Sequence, residues 1–147
     1  RLIILGEGEL RPQLESLVYQ LGLHEVVSLP GFKRNPYGFM RRADLFVLSS
    51  AWEGFGNVLV EAMACGTPVV STDCPSGPAE ILENGRWGRL VPVGDEIALA
   101  EAMAATLDQT EHPDVAARAA DFSVDRAVEG YLRVMLPGEY QYEVNKR

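Results

Sequence analysis

The chain has 147 residues, 47% hydrophobic and 23% charged, enough for one folded domain with its own core. Thirteen Lys and Arg against 21 Asp and Glu leave a net charge of −8, which excludes the basic stripe of a nucleic-acid surface and leaves few cations for a polyanionic ligand. No apolar run approaches the ~20 residues of a membrane-spanning helix. The only two cysteines, Cys65 and Cys74, suit a reducing compartment and lack the His or Cys neighbours of a metal set, so neither a disulfide nor a metal is expected.

Arg1 leads directly into Leu2-Ile3-Ile4-Leu5, too short for a secretory h-region, and no initiator Met precedes it; the sequence is expected to be an excised piece of something longer. Leu2 to Leu5 reads as a strand and Gly6-Glu7-Gly8 as a turn. Glu9 to Leu21 follows with helical spacing through Leu10, Leu14, Leu17, Val18 and Leu21, and Gly22 stops it. Glu25 to Leu29 is a second strand, ended by Pro30-Gly31, and Pro36 to Arg42 a short helix. Asp44 to Ser49 is a third strand, and Asn57 to Cys65 a helix closed by Gly66. Pro68 to Thr72 is a fourth strand, followed by a turn-rich stretch to Pro78 and a short helix from Ala79 to Glu83. Arg89 to Val93 is a fifth strand. Helices follow from about Glu96 to Leu107 behind an Asp95 cap, from Asp114 to Ala120, and from Val124 to Met135. Pro137-Gly138 opens a polar tail, 137–147. Alternation of strands and helices over most of the chain implies parallel strands with right-handed crossovers, a Rossmann-like doubly wound α/β sheet over 1–136.

The informative stretch runs from Glu53 to Glu61. Two carboxylates stand on either side of Gly54, Phe55, Gly56 and a helix start, just after a buried strand. The first N–H groups of a helix lack internal partners and carry partial positive charge, so a strand, a glycine turn and a helix N-terminus together suit a phosphate. With Asn57 taken as the N-cap, Glu61 lies in the second turn with its side chain tilted back toward the ligand end. Glu53 lies on the loop, and both acids are expected to face one crevice at the carboxyl edge of the sheet. Carboxylates repel phosphate, so they suit the hydroxyls of a ribose and a sugar beside it. From spacing alone the pair reads equally well as a surface acid and a solvated helix residue. Gly6-Glu7-Gly8 is a second strand–glycine–helix junction at the same expected edge, more readily a structural turn than a site. Asp73 to Glu80 is a third, with Asp73, Ser76 and Glu80 as polar candidates. Lys33-Arg34 lies in a loop that either flanks a base or phosphate or is simply solvated. His24 and His112 have no nucleophile beside them and read as surface residues.

Ser49 to Glu53 and Glu61 to Val70 resemble the Glu-x7-Glu signature of retaining glycosyltransferase family 4 (glycosyl transferases group 1). Asp73 to Leu82, Leu5-Gly6-Glu7-Gly8, Leu29-Pro30-Gly31-Phe32, Asn35-Pro36-Tyr37 and Leu90 to Asp95 match further segments in the family's order. The resemblance implies the C-terminal, donor-binding half of a two-domain GT-B enzyme. It implies that Glu53 is the catalytic residue of the pair and contacts hydroxyls of the donor sugar, and that Glu61 contacts the nucleotide ribose. Backbone amides around Phe55, Gly56, Asn57, Val58 and Leu59, with Gly54 in the turn, would hold the diphosphate. Gly6, Gly8, Phe32 and Lys33 would flank the donor. Transfer would proceed with retention and with no cofactor or obligatory metal. The donor would be a UDP-linked hexose or N-acetylhexosamine, and the acceptor a glycan or lipid-linked sugar reached through an N-terminal domain. The expected location is the cytoplasm or, peripherally, the inner face of a membrane.

The family places a strand and a basic Arg/Lys pair ahead of Leu2–Leu5, and neither is in this sequence. The sheet is therefore expected to lack its first strand, between Leu2–Leu5 and Asp44–Leu48 in the order 3-2-1-4-5-6. Its two open edges are expected to close on each other or on a second copy. The helix Val124–Met135 is expected to lean on the missing domain, and the fragment alone to be inactive. The rival readings are a nucleotide-sugar epimerase or a phosphorylase on the same architecture, and a non-catalytic nucleotide-binding or scaffold module.

Overall fold

The computed structural model describes residues 1–136, so the expected tail 137–147 lies outside the described residues. The chain divides into two compact units, Arg1–Gly38 and a second beginning at Phe39.

In the first unit β1 (Leu2–Leu5) and β2 (Val27–Gly31) pair in parallel around α1 (Arg11–Gln20), with Leu2 opposite Val27 and Ile3 opposite Ser28. The register then shifts, and Leu5 lies opposite Gly31. The strand thus runs through Pro30-Gly31, where the sequence reading ended it. Proline removes a donor but keeps its carbonyl and an extended φ, and an edge strand tolerates it. Helix α1 opens later than expected, with Pro12 in its first turn, where a missing N–H is harmless. Gly22, at φ 67, ends it. Arg11 staples the unit: it bonds Glu15 at 2.8 Å and Glu7 at 2.9 Å, and donates to the Leu29 carbonyl at 2.7 Å. No residue of α1 is buried, as expected when one helix meets only two strands.

In the second unit β3 (Phe46–Leu48), β4 (Val69–Thr72) and β5 (Arg89–Val91) form a parallel sheet with β4 central and wholly buried. Phe46 faces Val69, and Val70 faces Arg89. Five helices follow α2 (Tyr37–Met40): α3 (Asn57–Ala64), α4 (Pro78–Ile81), α5 (Glu96–Leu107), α6 (Val115–Ala119) and α7 (Val124–Met135). A 3-10 turn at Ala120–Phe122 lies between the last two. The core is built where α3 turns Leu59, Ala62 and Met63 inward, at i, i+3 and i+4, against Val69, Ile81, Leu82, Val115 and Ala119. Each large aliphatic side chain so buried contributes about 1.5–3 kcal/mol. Asp95 and Asp114 cap α5 and α6, accepting from the N–H of Ala98 at 2.8 Å and of Ala117 at 3.0 Å. Both helices start where the sequence reading placed such a cap or next to it.

The fold class is as expected: α/β, parallel, Rossmann-like. The described strands form two sheets, β1-β2 and β3-β4-β5. Among the described residues β1 has β2 as its one hydrogen-bonded neighbour, and β3 has β4. Helix α7 buries nothing, and Val124, Val128, Tyr131 and Met135 of its apolar stripe are exposed. No described helix is long and apolar enough to cross a membrane.

Candidate functional site

Parallel pairing sends the loops after β3 and β4 out of the same edge of the second sheet. The loop after β3 carries Glu53, Gly54, Phe55 and Gly56, and α3 starts directly behind it. The sequence reading took Asn57 as the N-cap. The cap is Gly56, and Asn57 is the first helical residue and exposed. Entry into α3 requires a left-handed backbone at the cap, φ 87 and ψ 43, which costs an L-residue about 1–2 kcal/mol and glycine almost nothing. Space is not the reason for glycine there. A Cβ on Gly56 would meet only Leu48 and Ile81 side-chain carbons, both at 3.8 Å. Gly54 differs from Gly56: its φ is not positive, and a Cβ on it would meet nothing within 4 Å. With Gly56 as the cap, the amides of Asn57 and Val58 precede any intrahelical acceptor.

Glu53 is half-buried and held on two sides. The Ser50 hydroxyl donates to its Oε1 at 2.7 Å, and its own N–H donates to the Pro75 carbonyl at 3.3 Å. Glu61 is half-buried in the second turn of α3, and its carboxylate bonds to no other described residue. Val58 is half-buried, so only its backbone is offered to a ligand; Leu59 is fully buried, and its N–H donates to the Gly56 carbonyl at 2.8 Å, within the first turn of α3.

The loop after β4 forms the wall behind Glu53. Gly77, at φ 97, packs so tightly on Phe55 that a Cβ would overlap its backbone carbonyl. Phe55 in turn meets Phe122 edge to face, with centroids 5.6 Å apart. The Arg118 guanidinium lies 4.6 Å over the Phe122 ring. It also donates to the carbonyls of Ile81 at 3.0 Å and Glu80 at 2.9 Å, at the end of α4. Glycine turn, second loop and α6 are therefore one packed assembly. Sequence reasoning missed Ser50, Thr72, Gly77, Phe122 and Arg118. Ser50 carried a signal, a serine three residues before the key acid, and so did Gly77, the glycine of the third strand–glycine–helix junction. The others act across the tertiary structure.

Of the residues assigned to the first unit, Gly6 has positive φ (114) and Gly8 does not. The N–H of Gly6 donates to the Gly31 carbonyl at 3.1 Å, and the Glu7 carboxylate, ion-paired to Arg11, occupies the space a Cβ on Gly31 would need. Phe32 and Lys33 are exposed. Asp73 and Ser76 are exposed at the end of β4. A cavity of about 200 Å³ lies at the opposite, amino-terminal end of β4 and β5, lined by Pro68, Gly88, Arg89, Thr106 and His112 among others, and takes in none of these residues. Cys65 and Cys74 are both free thiols.

The sequence profile of the family described as glycosyl transferases group 1 matches residues 1–121. A Campylobacter jejuni protein, N-acetylgalactosamine-N,N'-diacetylbacillosaminyl-diphospho-undecaprenol 4-alpha-N-acetylgalactosaminyltransferase, is 41% identical over 108 residues, 74% of this chain and 30% of that protein. The lipopolysaccharide core biosynthesis glycosyltransferase LpsE of Rhizobium meliloti is 39% identical over 102 residues, 69% of this chain and 30% of that protein. Among solved structures, Anabaena HepE in complex with UDP-glucose superposes with a TM-score of 0.73 at 32% identity, covering 84% of this chain and 36% of that one. The chain thus spans about a third of the length of each of these three proteins.

Proposed function

This chain belongs to the glycosyl transferases group 1 family, and we propose that it is the donor-binding half of a retaining glycosyltransferase. That enzyme would move a hexose or N-acetylhexosamine from a UDP-sugar to a glycan or lipid-linked acceptor held by a second domain, in the cytoplasm or at the inner face of a membrane. The observation that carries the reading is the join between the Glu53 loop and α3. A left-handed Gly56 starts the helix directly behind a fixed carboxylate, so unpaired amides and acid lie within a few residues of each other. The diphosphate lies on the amides of Phe55 to Val58, where the helix dipole favours negative charge. Glu61 accepts from ribose hydroxyls and Glu53 from hydroxyls of the sugar. The HepE complex with UDP-glucose supports this class of ligand.

In the transfer, the bond from the sugar's anomeric carbon to the leaving phosphate oxygen breaks. A bond to the acceptor oxygen forms on the same face, and the acceptor's proton passes to a phosphate oxygen of the departing UDP. No cofactor is required. Glu53 stabilises the sugar and sets its orientation, and it does not itself carry the proton.

Calorimetric or NMR titration of the 147-residue chain with UDP and with UDP-sugars is the test. Glu61→Gln weakens UDP by the value of a charge-assisted hydrogen bond, about 1.5–3 kcal/mol. Glu53→Gln leaves UDP affinity in place and removes the extra affinity for the sugar. Absence of binding by any nucleotide, or no effect of either substitution, refutes the reading and favours a scaffold.

A further inference from the structure

We propose that Ser50 is a positioning residue for Glu53, with Thr72 as the clamp behind it. The inference rests on the proposed function, which assigns the Glu53 carboxylate to the donor sugar.

The Ser50 hydroxyl donates to Glu53 Oε1 at 2.7 Å, and both residues are half-buried. An ionised carboxylate has about four acceptor positions. Ser50 occupies one, leaving Oε2 and part of Oε1 for hydroxyl donors on a ligand. Ser50 is itself fixed. The buried Thr72 hydroxyl, at the end of β4, reaches the Ser50 carbonyl at 2.5 Å and the Leu48 carbonyl at 3.3 Å. With one O–H to donate, it bonds mainly to the nearer Ser50 carbonyl and so holds the chain just beyond the end of β3. From the next loop, the Pro75 carbonyl accepts the Glu53 N–H. Backbone and carboxylate of Glu53 are thus held by separate groups.

A serine three residues before a glutamate ordinarily marks a capping box, in which both side chains satisfy backbone amides at a helix start. Residues 50–53 are not helical, and here one side chain bonds the other. No backbone donor is satisfied by this bond and no secondary structure depends on it. What it fixes is the direction of the carboxylate. A glutamate on a loop would otherwise lose its rotamer freedom only when the sugar arrives, at a cost in binding.

The experiment titrates the 147-residue chain by NMR with UDP and with UDP-glucose, UDP-galactose, UDP-N-acetylglucosamine and UDP-N-acetylgalactosamine. The readout is the preference for the best of the four over UDP. Ser50→Ala lowers that preference about 5–20-fold with UDP affinity within about twofold of wild type. Ser50→Thr, which keeps the hydroxyl, restores it. Ser50→Cys, near-isosteric but a weak donor, shows the same loss as alanine and serves where the alanine variant does not fold. In the Glu53→Gln background, Ser50→Ala adds nothing further, because the group it acts through is gone. An unchanged preference in Ser50→Ala, or a loss that persists at full size beside Glu53→Gln, overturns the inference. Glu53→Gln with an undiminished preference, or no binding of any of the four, overturns the proposed function and this inference with it.

Discussion

Replacing Gly77 with alanine is the sharpest test of how the site is assembled. Gly77 caps α4 at φ 97 and ψ −59, a region that residues with a Cβ scarcely visit. That backbone costs alanine about 1–3 kcal/mol. The new methyl also overlaps the Phe55 carbonyl, and a carbonyl fixed between Glu53 and α3 cannot swing aside as a flexible side chain would. Relieving such an overlap costs about 1–3 kcal/mol more. The total, about 2–6 kcal/mol, is a large part of the ~5–15 kcal/mol that stabilises a typical domain. Two glycines of the facing loop, after β3, calibrate it. Gly56→Ala meets its neighbours at ordinary contact distance and loses only the left-handed backbone, about 1–2 kcal/mol. Gly54→Ala has neither handicap and stays within about 0.5 kcal/mol of wild type. Equilibrium urea unfolding, followed by tryptophan fluorescence, ranks the three, since both tryptophans, Trp52 and Trp87, lie in the second unit. With a slope of about 1–3 kcal/mol per molar, Gly77→Ala lowers the midpoint by about 1–2 M or more. It also weakens UDP at least tenfold, because the carbonyl it displaces precedes the phosphate-facing amides. A Gly77→Ala variant as stable as Gly54→Ala, with UDP affinity intact, would refute the packing of one loop on the other.

Arg118→Met strands two carbonyls at the end of α4 and uncovers Phe122; a loss of about 2–4 kcal/mol by urea unfolding, with altered ring-current shifts at Phe55, is the expected outcome. Asp95→Ala and Asp114→Ala each remove an N-cap bond, about 1 kcal/mol apiece, seen as faster hydrogen exchange at the Ala98 and Ala117 amides. The 147-residue chain spans 30% of the matched Campylobacter transferase, so on its own it is expected to transfer no sugar from any of the four UDP-sugars; a product detected by chromatography contradicts this.

Local chemistry was legible before the fold. Helix α5 spans Glu96–Leu107, as read, because its start signal is Asp95, one residue away, and α7 spans Val124–Met135, as its apolar spacing implied. The alternation of strands and helices was equally plain, since each element announces itself by periodicity and by glycine or proline stops. The Glu53-to-Glu61 stretch could be singled out because a strand, a glycine turn and a helix start lie next to one another in the chain. Where a neighbour in space decides, sequence reading went astray. Asn57 is a better cap than Gly56 by residue type, but α3 is entered through a left-handed residue, a backbone that glycine adopts at least cost. Pro30-Gly31 is a stop by composition, yet Gly31 continues β2 because Leu5 pairs with it across the sheet. The support of Glu53 was out of reach for the same reason. Thr72 lies 22 residues from Ser50, and Phe122 touches Phe55 only once α6 has packed on α3. Hydrogen bonds and ring contacts of that kind depend on distances that only tertiary packing sets, whereas caps, turns and periodicities are settled by the nearest few residues.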